Sequence, residues 1–568
     1  MNVRDWLQFG LLLGILLITA KPIGVFLGDV FEGRRTFLSR VLGPIERAIY
    51  RMLQVDSNEE QDWKNYSIHM LLFAATTCAF TYILLRLQPH LPLNPQGMGR
   101  LSPDLAFNAT IGFHTNASWQ SYAGEQSMSY FSQAVPLCFQ FFISPAVALC
   151  ASTTLIRGLT RAETDKVGNF WVDLIRSHLY VLLPLALVFA VVLLSQGTIQ
   201  NFHPYTEVTT LEGAKQLIAQ GPAASFTVMK VMGSNGGGFF NANGAHPFDN
   251  PTPLANFVQI LLILIIPSAI IYQLGHAARN RKHAWTLWAA VAFMFIGGTL
   301  GCAHFEKRGI PSYQELGCAS SANWEGKEAR FGLFNSSLYA VATTDTSCGA
   351  VNSVHDSFTP MGGLVLLFNL VLGEVVYGGV GSGLYGLVMF ILITIFITGL
   401  MVGRTPEYLG KPIQSKEIKC VMLALVITTM LSLAPAAWAC LDARALAGLG
   451  NPKMHGFSEM LYDYTSAAVN NGSTFAGLNT NSPFWNLSLA FVLFFGRYFA
   501  MIPMLAIAGS MAQKRVHPGN ESSFHAHGFL FGSLLIAVIL LVGALTHFPA
   551  FALGPISEHF AMMNGQKF

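Results

Sequence analysis

Gly233-Ser234-Asn235-Gly236-Gly237-Gly238 is a polar, glycine-rich segment that directly follows a short apolar run beginning after Gly221-Pro222. That run holds about a dozen residues, whereas a helix that crosses a bilayer needs about 20. A short apolar run between full spans is typical of a re-entrant element, which enters the membrane and turns back. Irregular backbone is tolerated at membrane depth only where protein buries it or where it lines a watery path. The segment therefore predicts a polar turn inside a membrane protein.

The same pattern occurs at three further places in the chain. In each, a short apolar run ends in a polar cluster, namely Thr115-Asn116-Ala117-Ser118-Trp119-Gln120, Thr346-Ser347-Cys348-Gly349-Ala350 and Asn470-Asn471-Gly472-Ser473. Asn116 and Asn235 are 119 positions apart, and the spacings from Gly236 to Gly349 and from there to Gly472 are 113 and 123. A nearly constant period over a whole chain indicates internal repeats. We therefore predict four related units.

Composition places most of the chain in a membrane. Of its 568 residues 52% are hydrophobic and only 11% are charged, and the mean hydropathy is +0.46. A soluble protein carries about 25% charged residues, so a soluble enzyme is excluded. The net charge of +3 gives no reason to expect nucleic acid as a partner. Ten stretches are apolar enough to span a bilayer: 6–30, 68–87, 128–155, 178–196, 254–274, 285–302, 361–401, 418–439, 484–508 and 529–547.

The predicted fold is an all-α polytopic membrane protein with about ten transmembrane helices. Four pseudo-symmetric repeats of helix, pore helix, filter and helix use eight of the spans and leave one extra helix at each end. We place the extra helices at 1–33 and 526–568, and the four pore repeats at 60–160, 176–280, 284–404 and 417–515. Lys and Arg concentrate in alternate connections, and basic loops stay on the cytoplasmic side. Both termini and the mouth of the filter are therefore expected to face outward.

The chemistry of the four turns favours a monovalent cation. Glycine lets backbone carbonyls point inward, and a ring of carbonyl oxygens can replace the hydration shell of such an ion. The half-helices would aim their partially negative C-terminal ends at the same point. Trp119 and Gln120 are expected to brace the first turn. The predicted filter residues are Thr115, Asn116, Ala117, Ser118, Gly233, Ser234, Asn235, Gly236, Gly237, Thr346, Ser347, Cys348, Gly349, Val469, Asn470, Asn471 and Gly472.

Several longer strings carry a resemblance to a known family. They are Gly-Ser-Asn-Gly-Gly-Gly-Phe-Phe-Asn-Ala-Asn at 233–243, Thr-Ser-Cys-Gly-Ala-Val at 346–351, Gly-Glu-Val-Val-Tyr-Gly-Gly-Val-Gly-Ser-Gly-Leu-Tyr-Gly at 373–386 and Gly-Arg-Thr-Pro-Glu-Tyr-Leu-Gly-Lys at 403–411. On these strings the chain resembles the KdpA family, the potassium-translocating subunits of the bacterial Kdp complex, within the superfamily of potassium transporters. The similarity covers essentially the full length.

The resemblance implies a potassium-selective binding and translocating subunit of a high-affinity, ATP-driven uptake complex in the bacterial inner membrane. K⁺ would be the transported ion, and no organic cofactor is expected. The implied partners are the P-type ATPase subunit KdpB, which would hydrolyse ATP, the single-span subunit KdpC, the small subunit KdpF and membrane lipid. The chain by itself is not expected to be an enzyme, and it contains no G-x-x-x-x-G-K-[ST] phosphate loop.

The chain departs from the family pattern in two turns. The first turn is commonly Thr-Asn-Thr-Asn-Trp-Gln in the family, whereas Ala117 and Ser118 stand here, and Val469 takes the place of a usual Asn. If main-chain carbonyls coordinate the ion, these changes should alter affinity modestly. If side chains coordinate it, the tight potassium binding typical of the family does not carry over.

Four further residues are candidates for gating and for the ion pathway. Arg497 lies within a predicted span, where a cation costs about 2.5 to 3.5 kcal/mol, so it should face a cavity or a carboxylate. By resemblance it lies below the filter as a built-in positive charge. Glu374 begins a glycine-rich interruption that includes Gly378 and Gly379 and should break the helix. That interruption is either a structural kink or a loop that obstructs the pore beneath the filter.

Other interpretations stay open on the sequence alone. A self-sufficient channel or cation symporter of the same superfamily would need no partner, although the string at 373–386 disfavours it. A membrane-embedded lipid-processing enzyme is a remote alternative, because it would need clustered acids or metal ligands. Lys230 should either face the outer vestibule or pair with an acid. Cys302 and Cys318 are expected in one polar loop, where a disulfide is one option.

Overall fold

The computed structural model describes residues 2–373, 375–517 and 525–566, apart from the side chain of Glu315. Helices dominate these residues. They are α1 Val3–Phe31, α2 Ser39–Leu53, α3 Trp63–Arg86, α4 Pro103–His114, α5 Gly124–Ser127, α6 Tyr130–Ser132, α7 Cys138–Thr160, α8 Phe170–Arg176, α9 Leu183–Ser195, α10 Ala223–Met232, α11 Pro253–Ala277, α12 Arg281–Arg308, α13 Ser312–Glu315, α14 Gly332–Asp345, α15 Pro360–Val371, α16 Ser382–Met401, α17 Ser415–Ala439, α18 Ala443–Leu446, α19 Lys453–Ala468, α20 Pro483–Ala512, α21 Phe529–Phe551 and α22 Ser557–Met563.

Short π-helical turns join some of these helices into longer continuous elements. They lie at Gln133–Leu137, Ser177–Leu182 and Ala552–Ile556. Six short strands form three antiparallel pairs in the connections: β1 Gln61–Asp62 with β2 Lys166–Gly168, β3 Thr206–Thr209 with β4 Lys215–Ile218, and β5 Glu407–Tyr408 with β6 Lys411–Pro412. The molecule is therefore a helical membrane protein whose strands only tie loops together.

The prediction of about ten transmembrane helices is confirmed, since the described residues contain ten helices long and apolar enough to cross a membrane. The predicted stretch 361–401 consists of two elements, the short α15 and the spanning α16. The chain between them breaks at glycine, where Gly373, Gly378 and Gly381 have positive φ angles of 73°, 71° and 87°. A side chain on Gly381 would collide with the backbone of Ala148, so this break is packed against the neighbouring α7.

Four short helices lie between pairs of long ones and form the centre of the fold. They are α4, α10, α14 and α19. Contacts close a ring around them, since α10 packs on α7, α14 on α11, α19 on α15, and α4 on α20. The first helix α1 packs mainly against α11, and α21 packs against α12 and α16. The four short helices thus sit in equivalent surroundings around one centre.

The long helices before and after each short helix differ in burial. In the preceding helices, 28%, 33%, 44% and 22% of the most apolar window is buried, in chain order. In the following helices, the corresponding values are 78%, 89%, 72% and 61%. The following helices therefore form an inner layer around the centre, while the preceding helices present their apolar faces to lipid.

The expectation that Cys302 and Cys318 share a polar loop is wrong for Cys302. This residue is buried within α12, whereas Cys318 is exposed, and both thiols are free. The reason is that α12 continues six residues beyond the end of the predicted span at 302, through His304 to Arg308. The helix therefore carries Cys302 into the protein, away from the loop.

Candidate functional site

The four short helices all end in the same backbone geometry. They end at His114, Met232, Asp345 and Ala468. The second residue after each end adopts a left-handed conformation, with φ of 75° at Asn116, 48° at Ser234, 54° at Ser347 and 57° at Asn470. Such angles are uncommon outside glycine, and a single residue in this region reverses the chain direction. Each helix is therefore followed by the same tight turn.

This geometry corrects the alignment of the first two turns. Sequence spacing pairs Asn116 with Asn235 as equivalent residues. The backbone angles instead make Asn116 equivalent to Ser234, at a separation of 118 positions. The sequence alignment is one residue off because it paired identical side chains, whereas the turn is defined by backbone angle. Each turn therefore has four positions that correspond between the repeats. The first position holds Thr115, Gly233, Thr346 and Val469, and the second holds Asn116, Ser234, Ser347 and Asn470. The third position holds Ala117, Asn235, Cys348 and Asn471, and the fourth holds Ser118, Gly236, Gly349 and Gly472.

The four turns meet around one axis. A methyl group on Gly236 would collide with the backbone of Gly349, and one on Gly349 would lie 2.7 Å from the carbonyl carbon of Gly472. A methyl group on Gly472 would in turn collide with the carbonyl of Ala117. The ring closes between the first and second turns, where a methyl on Gly237 would lie 3.1 Å from the carbonyl oxygen of Ser118. All seventeen predicted filter residues belong to this cluster or border it.

Side chains at the second position connect neighbouring turns. The Asn116 amide donates to the carbonyl oxygens of Ser234 at 2.7 Å and Gly233 at 3.3 Å. The Ser347 hydroxyl makes the corresponding bonds between the third and fourth turns, to the carbonyl oxygens of Asn470 at 2.9 Å and Val469 at 3.2 Å. These bonds use carbonyls of the first and second positions, so they leave the fourth position to other partners.

The carbonyl oxygens of the fourth position have no protein donor. Within the described part of the chain, no hydrogen bond reaches the carbonyl of Ser118, Gly236, Gly349 or Gly472. The first three residues are buried and Gly472 is half-buried. Buried carbonyls are nearly always paired, because an unpaired polar group away from water costs free energy. Four unpaired carbonyls at equivalent positions form a ring suited to a cation.

Two side-chain oxygens of the same cluster are also unpartnered. Ser118 Oγ and Asn235 Oδ1 are buried and have no hydrogen-bond partner among the described residues. Each offers a lone pair beside the ring of carbonyls. Ser118 is one of the positions where the chain departs from the pattern of the family that it resembles. Its hydroxyl is therefore a candidate side-chain ligand in addition to the carbonyls.

Trp119 and Gln120 tie the first turn to its surroundings. Trp119 is fully buried, and its indole N–H donates to Ser121 Oγ at 3.2 Å. The Gln120 side chain donates to the carbonyl of Gly238 at 3.0 Å and accepts from the N–H of the same residue at 2.8 Å. This pair of bonds links the first turn to the end of the second.

A buried ion pair lies behind the second turn, and its acid was not identified from the sequence. Lys230 Nζ lies 2.6 Å from Asp249 Oδ2, and both side chains are fully buried. Lys230 also donates to Asn243 Oδ1 at 2.7 Å, and the Asn243 amide donates to the Gly237 carbonyl at 2.7 Å. Lys230 therefore pairs with an acid, one of the two alternatives stated for it. No local sequence pattern identifies Asp249 or Asn243, because an irregular connection after the second turn brings them to Lys230.

A second buried ion pair lies beside the third unit. Its acid belongs to α12, and its lysine belongs to the connection before α14. Glu306 of α12 lies 2.7 Å from Lys327 Nζ, and both side chains are fully buried. Glu306 also accepts from the N–H and hydroxyl of Thr359, both at 2.8 Å. Because Thr359 caps α15, this pair joins the connection before the third short helix to the helix that follows its turn.

Arg497 lines a small cavity next to the fourth turn. It is buried, and its guanidinium donates to the carbonyl of Ser144 at 2.9 Å, while no acid forms an ion pair with it among the described residues. The cavity has a volume of about 70 Å³ and is lined by Arg497, Asn470 and Gly373. Its wall continues through Thr428, Ser432 and His547 of the helices α17 and α21.

The glycine-rich interruption lies against the third turn. A methyl group on Gly379 would lie 3.1 Å from the carbonyl oxygen of Thr346 and 3.4 Å from Cβ of Ser347. Gly378 has a φ of 71°, which favours glycine. Glu374, the acidic residue predicted to take part in gating, lies outside the described residues.

The fold is shared with a solved membrane protein. The structure of the potassium transporter TrkH from Vibrio parahaemolyticus aligns with 86% of this chain and 97% of its own, with a TM-score of 0.51 at 13% identity. At that identity the likeness concerns the architecture alone.

Sequence comparison gives a narrower result. The model of the family KdpA, potassium-transporting ATPase A subunit, matches residues 10–560, and the chain belongs to this family. A potassium-transporting ATPase potassium-binding subunit from Nitratidesulfovibrio vulgaris strain DP4 is 51% identical over 566 residues, covering 100% of both chains. A subunit of the same name from Solibacter usitatus is 48% identical over 566 residues, again covering 100% of both.

Proposed function

We propose that this chain binds potassium in the ring of four turns and translocates it as a subunit of an ATP-driven uptake complex. The observation that carries the proposal is the set of donor-free carbonyls at Ser118, Gly236, Gly349 and Gly472. Such oxygens replace the hydration shell of a monovalent cation. The four short helices end next to them, so their partially negative ends add favourable potential for a cation. The description of the family and the names of the relatives support potassium as the bound ion.

The proposed assembly follows the family. The name of the relatives describes one subunit of a potassium-transporting ATPase, so ATP hydrolysis belongs to a partner subunit. We assign that role to KdpB and include the single-span subunit KdpC and the small subunit KdpF. The complex would lie in the inner membrane of a bacterium, with both termini and the filter mouth outside, as the distribution of Lys and Arg indicates. The repeat boundaries given above are part of this proposal.

The path below the filter runs through the cavity beside Arg497. The guanidinium places a fixed positive charge next to the fourth turn, and it would limit how long a second potassium ion stays there. Thr428, Ser432 and His547 add polar groups to the cavity wall, and the ion would pass along them toward the ATPase subunit. Gly379, which packs against the third turn, would gate this path together with Gly378 and Glu374.

The test is rubidium binding to the purified chain, measured alone and with co-expressed partners. We expect saturable binding in both samples, with competition by potassium and weak competition by sodium. ATP-dependent uptake into proteoliposomes should require the partners. A chain that moves rubidium down a gradient at full rate without any partner would instead support the self-sufficient channel or symporter. Absence of rubidium binding in both samples would contradict the filter assignment.

A further inference from the structure

A cluster of potential metal ligands lies outside the ring of turns. Asp356, His455 and Glu459 place one ligand atom each within 4.8 Å of one another. His455 and Glu459 are four residues apart in α19, so they lie on the same face of this helix. Asp356 comes from the short turn His355–Ser357 that follows the third filter turn. The cluster therefore joins two neighbouring units of the fold.

A fourth residue orients the histidine. Nδ1 of His455 lies 2.7 Å from Oε1 of Glu558, which belongs to the C-terminal helix α22. Nε2 of the same ring points to Oδ1 of Asp356 at 3.1 Å. A histidine that binds a metal typically donates its other ring N–H to a carboxylate, which sets the tautomer and the ring orientation. Glu558 is placed for this role, and Nε2 is the ring nitrogen on the side of the other ligands.

Glu459 has an oxygen without a partner. Its side chain is fully buried, and Oε1 accepts from the Asn451 amide at 2.8 Å. Oε2 has no hydrogen-bond partner within the part of the chain that the structure describes. A bound cation would satisfy this oxygen.

A glycine leaves open the space between the two carboxylates. A methyl group on Gly477 would collide with Oε1 of Glu459, and it would lie 2.6 Å from Oδ2 of Asp356 and 2.9 Å from the Asn451 amide nitrogen. Both carboxylates therefore border the same gap. Gly477 does not have a positive φ, so an alanine is allowed there by backbone geometry and would act only by filling this gap.

We propose that Asp356, His455 and Glu459 bind a divalent first-row transition metal ion, with Glu558 orienting the histidine. One imidazole nitrogen and two carboxylates suit Zn²⁺, Mn²⁺ or Co²⁺, whereas Mg²⁺ and Ca²⁺ prefer oxygen ligands alone. The three acids outnumber the one histidine, so the cluster keeps a negative charge even with a protonated ring. The bound ion would connect the loop after the third turn to the helix of the fourth turn.

Metal binding here competes with a proton. His455 lies between two carboxylates, since Nδ1 is 2.7 Å from Oε1 of Glu558 and Nε2 is 3.1 Å from Oδ1 of Asp356. A ring that donates to both carboxylates carries a proton on each nitrogen. When the ion binds, the proton on Nε2 leaves to solvent and the nitrogen lone pair forms the bond to the metal.

The experiment is a Co²⁺ titration of the full chain, purified with its partners through a tag that contains no histidine. We expect one Co²⁺ for each chain, with visible absorption bands that Zn²⁺ removes. His455→Gln and Glu459→Gln should weaken Co²⁺ binding at least tenfold, and Glu558→Gln should weaken it by about 10- to 100-fold. Asp442→Asn changes an acid outside the cluster, so it is the matched control and should bind like the wild type.

Gly477→Ala keeps every ligand and separates loss of the site from loss of the fold. It should weaken Co²⁺ binding while rubidium binding and the elution volume of the complex stay unchanged. The proposal is overturned if the wild type binds no Co²⁺ at concentrations up to about 100 μM, because specific protein metal sites have much lower dissociation constants. It is equally overturned if the His455 and Glu459 variants bind Co²⁺ as the wild type does.

Discussion

The side-chain amide of Asn235 donates a hydrogen bond to Oδ1 of Asn116 at 2.8 Å, which joins the second filter turn to the first. Ser144 of α7 completes a triangle with these residues, since its hydroxyl donates to the same oxygen of Asn116 at 2.8 Å and accepts from Asn235 at 2.8 Å. Arg497 donates to the backbone carbonyl of Ser144. One inner helix, α7, therefore holds the first two turns and the guanidinium of Arg497 together.

Asn235→Ala should weaken rubidium binding by removing both donated bonds of this triangle. A neutral hydrogen bond contributes about 1 kcal/mol, so about 2 kcal/mol of support for the turn is lost and the affinity should fall by up to roughly 30-fold. Equilibrium binding of rubidium measures this. Asn201→Ala is the control, because that amide bonds only to Gln220 and to the N–H of His203, in a connection away from the ring. Equal effects of the two variants would refute the role assigned to the triangle.

Gly236→Asp should weaken potassium affinity or admit smaller ions. Gly236 has a φ of 94°, and any side chain there meets the backbone of Gly349, so the substitution displaces the ring. Competition of potassium and sodium against rubidium reports the change. Gly213→Ala serves as the control, since its φ is 82° but a methyl group meets no neighbouring atom. Wild-type selectivity in Gly236→Asp would count against the filter.

Lys230→Met should destabilise the protein strongly. The substitution leaves Asp249 buried without a counter-charge, which costs about 3 to 5 kcal/mol. Thermal unfolding of the purified complex measures this, and the double variant with Asp249→Asn should recover part of the loss. By comparison, Lys215→Met breaks an exposed pair with Glu207 that contributes about 0 to 1 kcal/mol. Similar melting curves for the two lysine variants would show that the buried pair has no special role.

Arg497→Gln should raise passive rubidium flux through the complex in the absence of ATP. Removing the positive charge that lines the cavity lets an ion occupy it longer, because no fixed cation repels the ion. Flux into proteoliposomes with and without ATP separates leak from pumping. Arg444→Gln, whose exposed guanidinium pairs with Asp442, should leave the leak unchanged. If Arg497→Gln leaks no more than the wild type, the residue does not restrict the path.

Much of the architecture could be predicted because its signals are local. Apolar runs of about 20 residues mark spans, and the break between α15 and α16 follows from Gly373, Gly378 and Gly381. The site was harder to predict at the level of alignment. Asn116 was paired with Asn235, because side-chain identity was the visible signal, whereas the backbone angle that defines the turn belongs to Ser234.

The sequence by itself determined a membrane protein of four repeated units, each with a short helix and a polar turn, since period, composition and glycine content are properties of the linear chain. Only the tertiary structure decided which atoms meet. Asn235 reaches Asn116 across 119 positions, Asp249 reaches Lys230 from an irregular connection, and Glu558 reaches His455 from the C-terminal helix α22. Packing decides such contacts, because each buried polar group must find its partner wherever the assembled helices place one.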